Sequence, residues 1–207
     1  MKTYEFGDQK AVVCLIQPVD DHDLTGIEKE YARICELSGK DFCLIALKVN
    51  DWNKDLSPWN APSVFGKDGF GDGAADTLSE VLSLCRDDGR KYYIGGYSLA
   101  GLFALWASAQ TDRFAGVAAA SPSLWFPHFL EYMEERKPLC KAVYLSLGER
   151  EEKARNPVMA TVGDKIRQLH SFLDKEGYDS ILEWNEGNHF KDFDIRTAKA
   201  FAWVMEH

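Results

Sequence analysis

Short apolar runs alternate with segments of helical periodicity along nearly the whole chain, and few architectures accept that pattern. The runs at residues 12–16, 42–47, 91–97, 114–120, 141–147 and 180–184 read as strands, most of them apolar without interruption. Strands apolar on both faces belong to a parallel sheet covered by helices on either side. The intervening segments supply those helices. Ile27, Tyr31, Ile34 and Cys35 keep helical spacing behind Thr25 and Glu28, which fit a capping box, and Gly39 closes the stretch. Further helices are expected over 74–86, 99–110 and 195–205. Another opens at Asn156-Pro157 and ends at Gly177, with Met159, Val162, Ile166, Leu169 and Leu173 as its apolar stripe. Right-handed crossovers make this a doubly wound, mostly parallel α/β sheet with helices on both faces. In such a sheet the ligand site lies beyond the carboxyl ends of the strands, so only loops that follow strands need be searched for chemistry.

The 207 residues suit one domain, spanning 1–207. Acidic residues outnumber basic ones 33 to 24, a net charge of -9. That sign repels phosphate backbones and anionic lipid, so neither nucleic acid nor a membrane surface is an expected partner. No apolar run approaches the roughly 18 residues of a membrane span. The first six residues, MKTYEF, lack the apolar core of a secretion signal. The five cysteines, Cys14, Cys35, Cys43, Cys85 and Cys140, are scattered with no CxxC pair and read as small buried hydrophobes. A cytoplasmic location and the absence of a metal site are the expectations. The Gly-rich stretch Gly69-Phe70-Gly71-Asp72-Gly73 has no following Lys-Ser/Thr pair and does not read as a phosphate loop.

The sharpest chemical signal is Gly95-Gly96-Tyr97-Ser98-Leu99-Ala100-Gly101, which closes the strand 91–97 and opens a helix. A strand-to-helix turn this sharp holds a serine hydroxyl above the sheet and needs small residues two before and two after it; Gly96 and Ala100 meet that need. A serine needs a base. Of five histidines, His189 in Glu186-Gly187-Asn188-His189-Phe190 follows the last strand and so reaches the same rim. His22 follows the first strand and is a pocket-lining candidate. The base in turn needs an orienting carboxylate, expected after the strand 141–147. Glu149, Glu151 and Glu152 all stand there, and the residues alone leave the choice among them open. For an oxyanion, the N–H groups of Leu99 and Val19 are the expected donors, since Pro18 has none; Asp20 and the 50–52 turn are the alternatives. Trp52 and Trp59, in the long loop 50–73, and Ser123 and Trp125, after the strand 114–120, are the expected pocket wall. About twenty residues between Ala120 and Lys141 leave no room for a large lid.

These segments together resemble the α/β-hydrolase superfamily, and within it the esterase group of esterase D-like and enterochelin-esterase-like enzymes. The resemblance runs from about Val12 to Met205 and rests on Gly96-Tyr97-Ser98-Leu99-Ala100-Gly101-Leu102-Phe103-Ala104-Leu105, Ser121-Pro122-Ser123-Leu124-Trp125, Gly148-Glu149-Arg150-Glu151 and Gly187-Asn188-His189. It implies a serine hydrolase cleaving small-molecule carboxylic esters through an acyl-enzyme, without metal or cofactor. Ser98, His189 and Glu151 would be its triad. Acyl transfer at the same site and a non-catalytic binding protein of this fold are the alternatives. The chain departs from the pattern in having Ala100 for the second glycine, a Glu as the acid, and only about ten residues before Val12. The short N-terminus implies reduced or missing first strands and a sheet edge that a second copy of the chain would cover, hence a homo-oligomer.

Overall fold

The computed structural model describes residues 1–64 and 66–207. The strands are β1 (Lys2–Gly7), β2 (Val13–Val19), β3 (Cys43–Lys48), β4 (Lys91–Tyr97), β5 (Phe114–Ala120), β6 (Ala142–Gly148) and β7 (Asp179–Asn185). Among the described residues they form a seven-stranded sheet in the order β1-β3-β2-β4-β5-β6-β7. All neighbours are parallel except β1, which runs antiparallel to β3. The helices are α1 (Asp21–Ser38), α2 (Trp52–Asp55), α3 (Ala74–Leu84), α4 (Leu99–Ser108), α5 (Phe129–Glu135), α6 (Pro157–Ala160), α7 (Val162–Lys175) and α8 (Phe193–Val204). No described helix is long and apolar enough to cross a membrane.

Strand alternation divides the core in two. Leu15, Leu44, Tyr93 and Ala118 pack under α1 and α8 with Ile27, Ile34 and Phe201. Their strand neighbours Ile16, Ile45, Ile94 and Val117 point to the other face, where Val81, Leu102, Phe103 and Ile166 of α3, α4 and α7 cover them. The small residues Gly95 of β4 and Ala118 of β5 are a steric demand of α8. A Cβ on Gly95 would lie 2.6 Å from the Ala118 Cβ and 2.8 Å from the Phe201 ring. Larger side chains there would lift α8 off the sheet.

Several expectations are corrected. The N-terminus is a strand, so the edge of β3 is covered by the chain's own β1 rather than left open. Its half-exposed, polar sequence KTYEFG gave no apolar run to read. Helix α1 starts earlier than expected. Asp20 is its N-cap, accepting from the Asp23 N–H at 2.8 Å, while the Thr25 hydroxyl donates to the His22 carbonyl inside the helix. Asn156-Pro157 opens only the short α6, and Thr161 separates it from α7. Helices α2 and α5 were not anticipated; at 4 and 7 residues they are too short to show a period.

One buried pair in this fold is poorly satisfied. Glu30 of α1 and Gln17 of β2 are both 2% exposed, joined by a 3.4 Å bond from Gln17 Nε2 to Glu30 Oε2. The remaining Oε1 atoms of both find no partner among the described residues. Burial pushes the Glu30 carboxyl well up; the Gln17 bond opposes this, and the nearby Asp23 and Asp194 charges add to it. The native state therefore holds this proton more tightly than the unfolded chain. The associated stability is complete below the unfolded value of about 4.3 and is lost as pH rises through the folded one. Glu30→Gln, which keeps the neutral acid's shape, should gain over the native chain at pH 8 but not at pH 5. The gain should grow by about 1.4 kcal/mol for each pH unit between the unfolded value and the folded one. Each kcal/mol is about 2–4 °C in Tm at this chain length. Equal Tm gaps at the two pH values would contradict it.

Candidate active site

The turn from β4 into α4 forces Ser98 into φ 56°, ψ −118°, an uncommon region for a side-chain-bearing residue. Small neighbours make this feasible. A Cβ on Gly96 would lie 2.7 Å from the Ala100 Cβ, and one on Gly101 would lie 3.0 Å from the Gly96 carbonyl oxygen. Ala100 fits where a second glycine is usual because it faces a bare Gly96. The turn is also tied to the next strand. Ser98 N–H donates to the Ala120 carbonyl at 3.0 Å, and Ser123 N–H donates to the Ser98 carbonyl at 3.1 Å.

Two further side chains meet the Ser98 hydroxyl. Its Oγ is 3.0 Å from His189 Nε2 and 3.2 Å from Ser123 Oγ. The other imidazole nitrogen, Nδ1, is 2.6 Å from Glu151 Oε2. Three of the predicted residues thus form one continuous chain of hydrogen bonds, although Ser98 and His189 are 91 positions apart. Of the three carboxylates after β6, only Glu151 turns inward. Glu149 is exposed, and Glu152 pairs with Arg167 at 2.7 Å. The second oxygen of Glu151 accepts from Gly148 N–H at 2.7 Å, Ser121 Oγ at 2.8 Å and Arg196 Nη1 at 3.0 Å. Gly148 has no room for a side chain: a Cβ would lie 2.7 Å from the Gly187 carbonyl and 2.9 Å from Glu151 Oε1. Burial pushes the Glu151 carboxyl up. The His189 bond and charge, the Gly148 N–H and the Ser121 hydroxyl outweigh it, and the group sits below the ordinary glutamate value. It is ionised at neutral pH.

Sequence reasoning missed Arg196, which is 1% exposed. Its Nη1 reaches Glu151, the Tyr97 hydroxyl at 3.1 Å and Ser121 Oγ at 3.3 Å. Its Nη2 donates to the Glu186 and Asn188 carbonyls at 3.0 and 3.1 Å, so it grips the turn that carries His189. Tyr97 OH completes the grip by donating to the His189 carbonyl at 2.8 Å. The available signal was a single arginine beside the run Thr197, Ala198, Ala200 and Phe201 that α8 buries.

The remaining predicted residues divide. Leu99 is the first residue of α4, with its backbone at the helix's positive end. Val19 is buried as the last residue of β2, whereas the next residue, Asp20, lines a cavity of about 190 Å³ beside Ser98. His22, Trp52, Tyr97 and Phe193 share that cavity. A second cavity of about 430 Å³ opens on the Glu151 side, walled by Pro122, Trp125, Met159 and Val162, with Arg150 and Lys153 also lining it. His189 and Phe190 line both. Ser123 touches Ser98 but is buried. Trp59 lines neither cavity, contrary to its expected place. Its indole donates to the Pro127 carbonyl at 3.1 Å and packs on Phe126, Phe129 and Tyr132. No group of three or more metal-capable side chains occurs among the described residues.

Comparison with solved structures gives the siderophore hydrolase EstA of Aspergillus nidulans at a TM-score of 0.65 and 18% identity, covering 94% of this chain and 82% of that one. The monoacylglycerol lipase of Paleococcus ferrophilus gives 0.59 and 16%, covering 100% and 98%. This chain has the α/β-hydrolase fold. The enterobactin esterase FES of Shigella flexneri superposes at 0.66 with 14% identity over 99% of this chain, which spans 55% of that one. No family model matches the sequence. Among curated proteins, the uncharacterized protein YbbA of Bacillus subtilis (strain 168) is 22% identical over 184 residues, 79% of this chain and 73% of YbbA.

Arg196→Met removes one partner of a buried ion pair and takes one donor from each of five acceptors. It should cost about 3–5 kcal/mol in urea unfolding. Arg196→Lys should recover only part of that, because a single ammonium cannot span both Glu151 and the two carbonyls. Full recovery by lysine would contradict the clamp.

Proposed function

We propose that this chain is a serine hydrolase that cleaves carboxylic esters of small molecules. The observation that carries the reading is the hydrogen-bond chain Ser98–His189–Glu151, at 3.0 and 2.6 Å, beyond the carboxyl ends of β4, β6 and β7. The named esterases, hydrolase and lipase that share the fold support it, although identities of 14–18% carry no substrate across.

In this reading Ser98 Oγ attacks the acyl carbon while His189 Nε2 takes its proton. Glu151, ionised and held by four groups, keeps the imidazole oriented and stabilises the imidazolium that forms. The tetrahedral oxyanion faces the Leu99 N–H at the head of α4. A second donor comes from the end of β2, Val19 or the cavity-lining Asp20. Each such donor contributes roughly 3–4 kcal/mol. The intermediate collapses as His189 returns the proton to the departing alkoxide, leaving an ester on Ser98. Water, deprotonated by His189, then releases the acid and restores the hydroxyl. Every group used is a side chain or backbone amide of the chain, so the reaction needs no metal or cofactor.

The complete hydrogen-bond chain weighs against a non-catalytic binding protein. Acyl transfer would use the same residues, with an alcohol or thiol replacing water; analysis of products formed with such acceptors separates the two.

A fluorophosphonate probe should label Ser98, and Ser98→Ala should abolish both labelling and p-nitrophenyl acetate turnover. Labelling that persists in Ser98→Ala would overturn the assignment. Glu151→Gln should keep the fold but lower kcat by roughly 10³–10⁴, as expected when the base loses its orienting charge. A kcat within tenfold of the native value would remove Glu151 from the mechanism.

A further inference from the structure

The turn that supplies the acid also builds a cationic mouth. Glu151–Lys153 is a single turn of 3₁₀ helix headed by Arg150. In 3₁₀ geometry side chains three apart eclipse one another. Arg150 and Lys153 therefore share a face, while Glu151 turns inward to His189. Both cations line the 430 Å³ cavity next to His189. Both are exposed, and neither has a carboxylate partner among the described residues, where Arg167 and Lys191 nearby are paired. Behind them the cavity wall is apolar: Pro122, Trp125, Ala154, Met159, Val162 and the 84% exposed Phe190. Glu151, the one carboxylate that also lines this cavity among the described residues, is already paired with Arg196, and Glu152 with Arg167, so in a chain of net charge -9 these two cations remain for a ligand. The cavity on the Ser98 side has no lysine or arginine in its described lining and carries Asp20 and Asp23 instead, the Asp23 carboxyl pushed up to about 7 by burial and the neighbouring Asp20 charge.

We propose that Arg150 and Lys153 select esters whose apolar part, on the Glu151 side of the scissile bond, ends in a carboxylate. The inference rests on the esterase reading for the bond that is cut, but the anion subsite is a claim about binding and is testable without turnover. The planar guanidinium takes a carboxylate through two hydrogen bonds, and the lysine adds a second positive charge beside it. The opposite cavity, less than half the volume and with no lysine or arginine in its described lining, offers that group no such partner, which fixes the direction in which the substrate lies.

The test pairs each anionic ester with a neutral isostere on both sides of the bond. The first pair is p-nitrophenyl hydrogen adipate against p-nitrophenyl hexanoate. The second is the acetate esters of p-hydroxyphenylacetate and p-ethylphenol. In one pair, kcat/KM for the anion should exceed that for the neutral ester by about fivefold or more, carried by KM. The ratio should fall to one or below in Arg150→Ala/Lys153→Ala and in about 0.5 M salt. In parallel, phenylhexanoate should raise the Tm of Ser98→Ala protein more than its primary amide does. That difference should vanish when both cations are also removed. Hydrolysis with no anion preference, together with equal Tm shifts, overturns the anion subsite and leaves the esterase reading intact. Charge-dependent binding without turnover of any ester does the reverse.

Discussion

A buried carboxylate is tolerable only if its lone pairs are met, and the Glu151 carboxylate meets its own from four separate parts of the fold. Gly148 lies at the end of β6, Ser121 at the end of β5, Arg196 on α8 and His189 on the turn after β7. Satisfying one charge thus sets the relative positions of three strand ends and a helix. The rim of the sheet is held as a unit, and the histidine is aimed at Ser98 as a consequence. The desolvation that would otherwise protonate the acid is outweighed by the same contacts, so orientation and ionisation have one cause.

Backbone strain gathers at the same rim. Among the described non-glycine residues, positive φ occurs at Ser98, Ser121, His128 and Asp192. The first two carry the hydroxyls facing His189 and Glu151, and Asp192 ends the turn that leads from His189 into α8. Such conformations persist only where surrounding bonds over-determine them. Here the Ser98 N–H on Ala120, the Ser121 N–H on Ser146 and the Arg196 N–H on Asp192 supply those bonds.

The fold was legible because its information is periodic. Uninterrupted apolar strands and the 3–4 spacing of Val162, Ile166, Leu169 and Leu173 survive in one dimension. Strand β1 did not, because an edge strand faces solvent on one side and needs no apolar run. In the site, Ser98 and His189 were legible from the steric and positional demands of their turns. The choice of Glu151 among three carboxylates was not a matter of residue type. It depends on which position of a 3₁₀ turn faces inward, and the resemblance supplied that before the geometry did. Arg196 was hidden because the groups it satisfies, the Glu186 and Asn188 carbonyls and the Tyr97 hydroxyl, become neighbours only on folding. Trp59 was misplaced for the opposite reason. A tryptophan after a strand reads as pocket wall, but its long loop carries it to α5, where its indole finds a backbone acceptor.

The Arg196–Glu151 pair invites the objection that well-packed apolar residues often serve stability better than a buried ion pair. Here the objection fails on the rest of the arginine's contacts. An apolar pair of equal volume would relieve two desolvated charges but leave the Glu186 carbonyl and the Gly148 N–H without their partners, each such loss costing about 1–3 kcal/mol. It would also leave His189 Nδ1 facing hydrocarbon. The arginine already tolerates one unmet donor, Nε, to reach all five acceptors with its two terminal nitrogens. A fold selected only for stability would have no use for that compromise. A fold that must hold one imidazole between a serine and a carboxylate does.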